Sequence, residues 1–170
     1  MEHSDRYFEL ARQGRETFLQ HAAPAVLVRR IDESDAYPEQ EEDEPTSVLE
    51  IPADFDRHRT DAELLGLEIH PLAKKPGAAF SDMITVGRTG NNDVVLNDVT
   101  VSRFHAYFKP SKRRWCVSDQ GSKNGTKVGG DELDPRKEIA IEAGAIVRFG
   151  DVEATFFTSA ELFDFLVANV

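Results

Sequence analysis

Ile84-Thr85-Val86-Gly87-Arg88, then Val101-Ser102-Arg103-Phe104-His105, then Gly121-Ser122-Lys123-Asn124-Gly125-Thr126: these three stretches set a short β-like run against a polar or glycine-marked one. In the first, Ile84 and Val86 alternate with Thr85, the period-2 pattern of a half-buried strand. The second opens into the apolar run Phe104–Phe108, and the third has the Asn-Gly pair common in tight turns. From Leu67 onward the same texture repeats. Candidate strands are Leu67–Leu72, Met83–Gly87, Asp93–Leu96, Phe104–Phe108, Trp115–Asp119, Thr126–Val128, Ala145–Phe149 and Glu153–Phe157. Turn material separates them at Lys74–Gly77, Thr89–Asn92, Pro110–Arg113, Gly121–Gly125 and Gly129–Asp131. Many short strands punctuated in this way predict an all-β sandwich.

The flanks differ from this body. Tyr7, Ala11, Phe18 and Ala22 follow helical spacing, with Ser4 as a plausible N-cap and Pro24 as the stop. Gly14 weakens that helix, and Ala25–Val28 suits one short strand. The expected role of the helix is packing on its own domain, with docking to a partner as the alternative. Leu162, Phe163, Phe165, Leu166 and Val167 suit a short closing helix. Between Ile31 and Glu63 stand 13 acidic residues against Arg57 and Arg59 alone, which accounts for the whole formal charge of -11. With Pro38 and Pro45 and few apolar residues, its first part resembles a solvated linker. Thr60 and Glu63 have capping-box spacing, so a short turn of helix is expected before Gly66. The division is residues 1–31, an N-terminal helix plus short strand of unassigned role; 32–65, an acidic linker; 66–158, the sandwich; and 159–170, a C-terminal helix.

Composition narrows the function classes. Hydrophobic residues at 40% suffice for a real core, and no apolar run approaches the ~20 residues of a bilayer span. One cysteine, Cys116, excludes an intrachain disulfide framework and an all-Cys metal site, and is expected as a small core residue. His21, His58 and His70 lack ligand spacing, so no metal is expected. Glu2, Asp5 and Glu9 occupy the place of a signal peptide's basic region, which makes a cytoplasmic location the expectation, with no membrane contact. Lys109, Lys112, Arg113 and Arg114 form a basic turn, better explained as a solvated hairpin tip than as a nucleic-acid footprint. Ser102 and His105 lack an evident acid partner, so catalysis is not expected.

The polar ends of the strands supply a guanidinium, a hydroxyl, further cations and a side-chain amide. A phosphothreonine offers ~−1.5 to −2 charges and three acceptor oxygens. Arg88 can answer with paired charge-assisted bonds, Ser102 can donate one more, and Asn124 can both donate to and accept from a peptide backbone. Gly87-Arg88, Ser102-Arg103-Phe104-His105 and Asn124-Gly125, with Asn92 to Asp98 and Gly144…Phe149-Gly150-Asp151 around them, resemble a forkhead-associated (FHA) domain of bacterial type over about Gly66 to Thr158. The resemblance implies an FHA-like β-sandwich of about eleven strands that binds phosphothreonine peptides, uses no cofactor and is not an enzyme. It implies that Arg88 and Ser102 hold the phosphate, with Arg103 flanking it, and that Lys123 and Asn124 hold the peptide. His105 would buttress the loops, and Gly87 and Gly125 would permit their shape.

The expected role is therefore a phosphothreonine-dependent adaptor in Ser/Thr kinase signalling, the alternative being a phospho-independent interaction scaffold. Its partners would be a threonine-phosphorylated protein and a Ser/Thr protein kinase. A further expectation concerns Pro45-Thr46-Ser47-Val48-Leu49, which stands after the acidic run. Glu44 to Phe55 resembles the N-terminal regulatory segment of bacterial FHA metabolic regulators, although Pro45 replaces a threonine there. That likeness makes Thr46 a candidate phosphosite and the chain's own linker a candidate ligand.

Overall fold

The computed structural model describes residues 2–31 and 60–169. Among these residues eleven strands form two sheets: β1 (Ala25–Arg30), β2 (Leu67–Pro71), β3 (Ile84–Gly87), β4 (Val94–Val95), β5 (Ala106–Ser111), β6 (Arg114–Asp119), β7 (Thr126–Val128), β8 (Asp131–Glu132), β9 (Ile139–Ile141), β10 (Ile146–Phe149) and β11 (Val152–Thr158). One sheet runs β2-β1-β11-β10-β7-β8 and the other β4-β3-β5-β6-β9. The pairings are antiparallel except β3 with β4. The chain is an all-β sandwich with helices at both ends. Two strands carry no sequence pattern: β8 is two exposed acidic residues, and β9 is three residues long.

Burial follows from the alternation of strand side chains. Ala25 and Leu27 of β1 point into the sandwich beside Val86, Phe108, Phe149 and Phe156. Val26 and Val28 point outward into a second core with Tyr7, Phe8, Phe18, Ile69, Leu162 and Leu166. A strand buried on both faces must be apolar at consecutive positions, which explains the run Ala25–Val28. Helices α1 (Glu2–Arg12), α2 (Arg15–His21) and α4 (Ser159–Asn169) supply the outer layer. Phe18 packs edge-on to Phe163 at 5.4 Å.

Three local expectations change. The N-terminal helix is two helices, because Gly14 takes φ 101 between them, a value L side chains rarely adopt. Ser4 is not an N-cap; it lies inside α1, and its hydroxyl accepts the Ile69 backbone N–H at 3.0 Å. That bond covers part of the edge of β2, which among the described strands pairs with β1. Cys116 is half-buried, since Val117 beside it takes the inward position on β6.

The short helix α3 (Asp61–Leu64) precedes Gly66, as the capping-box spacing expects. The rest of the acidic stretch, Thr46 included, lies outside the described residues. Its two attachment points are joined, Ile31 N–H donating to Gly66 O at 2.7 Å.

Candidate functional site

Three connections converge at one end of the sandwich: residues 88–105 between β3 and β5, 120–125 between β6 and β7, and 150–151 between β10 and β11. Backbone and side-chain bonds lock them together. Gly150 N–H donates to Gly125 O at 3.1 Å, and Asp151 N–H to Thr100 Oγ1 at 2.9 Å. Asn124 Nδ2 donates to Thr100 O at 2.8 Å. Thr126, at the head of β7, is fully buried and reaches Asp119.

His105, fully buried, ties two of the connections. Its Nδ1 accepts the Ser102 N–H at 3.0 Å, so Nε2 carries the proton and donates to Gly125 O at 3.0 Å. Burial pushes its pKa below the ordinary 6.5, against the opposing pull of the Gly125 carbonyl and Asp119. The imidazole is therefore a neutral strut. Asp119 shapes the following turn: Oδ1 accepts the N–H groups of Gly121 and Ser122 at 2.8 and 3.0 Å, and Oδ2 accepts Thr126 Oγ1 at 2.7 Å. Burial raises its pKa, but bonds from Ser122, Thr126 and Gly121 outweigh burial and hold the carboxyl below its usual range.

On the other side, Gly87 stands where a Cβ would lie 2.2 Å from Arg103 O, so any side chain would force the two loops apart. Asn92, buried, holds the same carbonyl with its Nδ2 at 2.6 Å. Gly125 has φ 80, which lets the turn close under His105.

These supports present an open depression of about 570 Å³. Arg88, Ser102, Arg103, Lys123 and Asn124 line it, with Val99 and Phe104 at its lips and no carboxylate among its lining residues. Arg88 is pinned by its own N–H to Ser102 O at 3.0 Å and by Nε to Val101 O at 3.1 Å. That leaves the two terminal nitrogens of the guanidinium to bind an anion. Ser102 Oγ accepts the Lys123 N–H at 3.0 Å, which leaves its own hydroxyl proton to donate outward. Asn124 commits one N–H to Thr100 and keeps its side-chain oxygen and second N–H. The arrangement can hold a dianion through donors alone.

The sequence-predicted set Arg88, Ser102, Arg103, Lys123 and Asn124 thus meets in one depression, with Gly87, His105 and Gly125 beneath it. Sequence reasoning missed Asp119, Asn92 and Thr100 as supports. Asp119 had a usable signal, an Asp two or three residues ahead of backbone N–H groups in a glycine turn, the pattern of an Asx-turn. The bonds by which they brace the site, from Asn92 to Arg103 O and to Thr100 from Asn124 and Asp151, span 11 to 51 positions and leave no local pattern.

The register also locates the acidic segment's ends. Val28 faces Thr155 and Phe149 faces Val152. Continuing the β1–β11 register brings Ile31 level with Val152, beside the turn at Gly150 and Asp151. Ile31 and Gly66, which bracket the acidic stretch 32–65, therefore lie at the end of the sandwich that holds the depression.

Among the described residues no cluster of His, Cys, Asp and Glu could hold a metal, and no helix is long and apolar enough to cross a membrane. Residues 84–150 match the family model described as FHA domain. Over 72 residues, 42% of this chain, the sequence is 38% identical to an oxoglutarate dehydrogenase inhibitor of Corynebacterium efficiens, covering 49% of that protein. It is 31% identical over 93 residues to the transcriptional regulatory protein EmbR of Mycobacterium tuberculosis, covering 54% of this chain and 24% of EmbR. The chain thus spans half or less of the length of these relatives. The structure of Mycobacterium tuberculosis EmbR with a low-affinity phosphopeptide aligns with a TM-score of 0.47 at 29% identity, over 55% of this chain and 22% of that one.

Proposed function

The chain carries an FHA domain, and from that premise we propose that it is a phosphothreonine-dependent protein-binding adaptor acting downstream of a Ser/Thr kinase. One observation carries the reading: an acid-free depression whose arginine and serine are already oriented by bonds that spare their outward donors. Arg88 and Ser102 hold the phosphate, Arg103 adds positive charge at its flank, and Lys123 and Asn124 hold the peptide strand. Preorganised donors of this kind give charge-assisted bonds without first breaking others. The role is binding, and the ligand leaves unchanged.

The test compares phosphothreonine peptides with their unphosphorylated and phosphoserine counterparts, against wild type and Arg88→Ala. Wild type should bind only the phosphorylated forms, threonine above serine. Arg88→Ala should lose about 30-fold or more, since removing one partner of a desolvated charge pair costs ~2–5 kcal/mol. Equal affinity for the unphosphorylated peptides would favour the phospho-independent scaffold.

We infer a second role for Thr46, as a phosphosite whose product is the domain's own ligand. The joining of Ile31 to Gly66 near the depression, on either side of residues 32–65, supports this. A tether of this length gives an effective concentration on the order of millimolar. Against an intrinsic affinity of ~10 μM, that would leave the phosphorylated chain about 99% self-occupied. Affinity for an added phosphopeptide, measured before and after stoichiometric Thr46 phosphorylation at several dilutions, should fall on phosphorylation. An unchanged value disposes of the switch.

A further inference from the structure

At the end of the sandwich opposite the depression, the turn between β5 and β6 is built from two strained cations. Lys112 holds φ 46 and Arg113 φ 94, left-handed values that Asn-Gly meets readily and longer side chains meet only under strain. Both are exposed, as is Arg114 beside them. Lys109, lower on the hairpin, already faces Asp82 at 3.7 Å and Glu138 at 3.9 Å. Among the described residues Lys112, Arg113 and Arg114 have no ion pair, although the β6–β9 register sets Glu142 level with Arg114. Three unneutralised cations on a turn that is strained to hold them have their explanation in an anionic partner.

The chain itself supplies that chemistry. Residues 32–44 hold eight acids and no base, while the chain outside residues 31–63 is balanced in charge. Ile31 and Gly66, on either side of the acidic stretch, lie at the depression end. From that end β5 leads away over six residues, roughly 20 Å, to Ser111 and the turn. The acidic and basic poles thus belong to opposite ends of one molecule. We propose that the Lys112-Arg113 turn docks on the acidic stretch of a second copy of this chain, the two copies lying antiparallel. The contact is then made twice and closes as a two-fold dimer. Antiparallel copies also keep their acidic stretches apart, whereas parallel copies would set them against each other. Within one chain the stretch is tethered at the depression end, and reaching its own turn would draw it along the sandwich with a loss of chain entropy. None of the phosphate-facing residues takes part.

Sedimentation velocity of the full chain tests this at about 0.05 M and about 0.3 M salt, where the Debye length shrinks from roughly 14 Å to roughly 6 Å. Wild type should dimerise at low salt between roughly 10 and 300 μM, and at least about tenfold more weakly at high salt. Lys112→Asn with Arg113→Gly, which suits the turn and so stays folded, should leave the chain monomeric. A charge swap completes the test. One variant carries Lys112→Glu and Arg113→Glu; the other carries Glu41→Lys, Glu42→Lys and Asp43→Lys. Each should be monomeric alone, and an equal mixture should dimerise. A wild type that stays monomeric at low salt overturns the proposal, as does a dimer indifferent to Lys112 and Arg113 or a mixture that fails to pair. Salt-dependent compaction at constant mass would place the contact within one chain and overturn it too. So would a monomer that binds an oligonucleotide or anionic vesicles through the same turn.

Discussion

At the scale of single residues, His105 shows how one buried side chain fixes the loops that carry the candidate ligand contacts. It is neutral because protonating Nδ1 would set a second N–H against that of Ser102. Its folded pKa lies below the ordinary 6.5, so on acidification the unfolded chain takes up the proton first. Its contribution to stability is complete above about pH 6.5 and is lost as the pH falls from there through the depressed folded value. Asp119 and Asp93, also depressed, contribute above the ordinary 3.8 and lose their contributions only below it. Urea unfolding should therefore show stability declining in two steps on acidification, and His105→Gln should remove the upper one. His105→Ala should cost about 2–4 kcal/mol, because it leaves the Ser102 N–H and Gly125 O without partners inside the core. A fully stable His105→Ala protein with no peptide affinity would place the imidazole in the ligand contact instead.

The β5–β6 hairpin makes the case at the scale of an element. Ser111 pairs with Arg114, so the turn is Lys112-Arg113, with φ 46 and 94. Those angles match a type I′ turn, which Asn-Gly adopts readily and Lys-Arg does not. Replacing the pair by Asn-Gly should stabilise the protein by about 1–2 kcal/mol and raise the melting temperature by several degrees. The turn lies at the far end of β5 from Ser102 and His105, so phosphopeptide affinity should not change. A loss of affinity would assign the basic turn a part in binding. Strands of five or more residues with alternating pattern, β2 and β11, were legible in sequence. The start of β5 was not: the strand begins at Ala106 and takes in Pro110, because Phe104 turns to the depression and His105 to the loop core.

For the whole molecule, the decisive feature is that the six-stranded sheet is buried on both faces where β1 lies. The helices α1, α2 and α4 are the outer half of that burial. Phe18 is fully buried among residues from β1 and α4. Phe18→Ala should therefore cost about 3–5 kcal/mol, a large share of a typical total of 5–15 kcal/mol. Chemical denaturation reads this directly, and phosphopeptide affinity of the folded protein should be unaffected. If α2 were instead a detachable docking helix, Phe18→Ala would leave stability intact.

The division between sequence and structure follows the range of the interactions. Alternation, turn residues and the ordered motifs at Gly87-Arg88, Ser102 to His105 and Asn124-Gly125 are written within a few positions of one another, so the sandwich and the candidate ligand-facing residues could be read from the chain. Ser4 on the edge of β2, Asn92 on the Arg103 carbonyl and Phe80 against Phe104 each join residues 11 to 65 positions apart. Such pairs leave no periodic trace, because any residue of suitable size and polarity could stand at either end until the fold brings them together. The meeting of Ile31 with Gly66 belongs to the same class. It attaches the acidic segment at the end of the sandwich that holds the depression, through strand register, which composition does not encode.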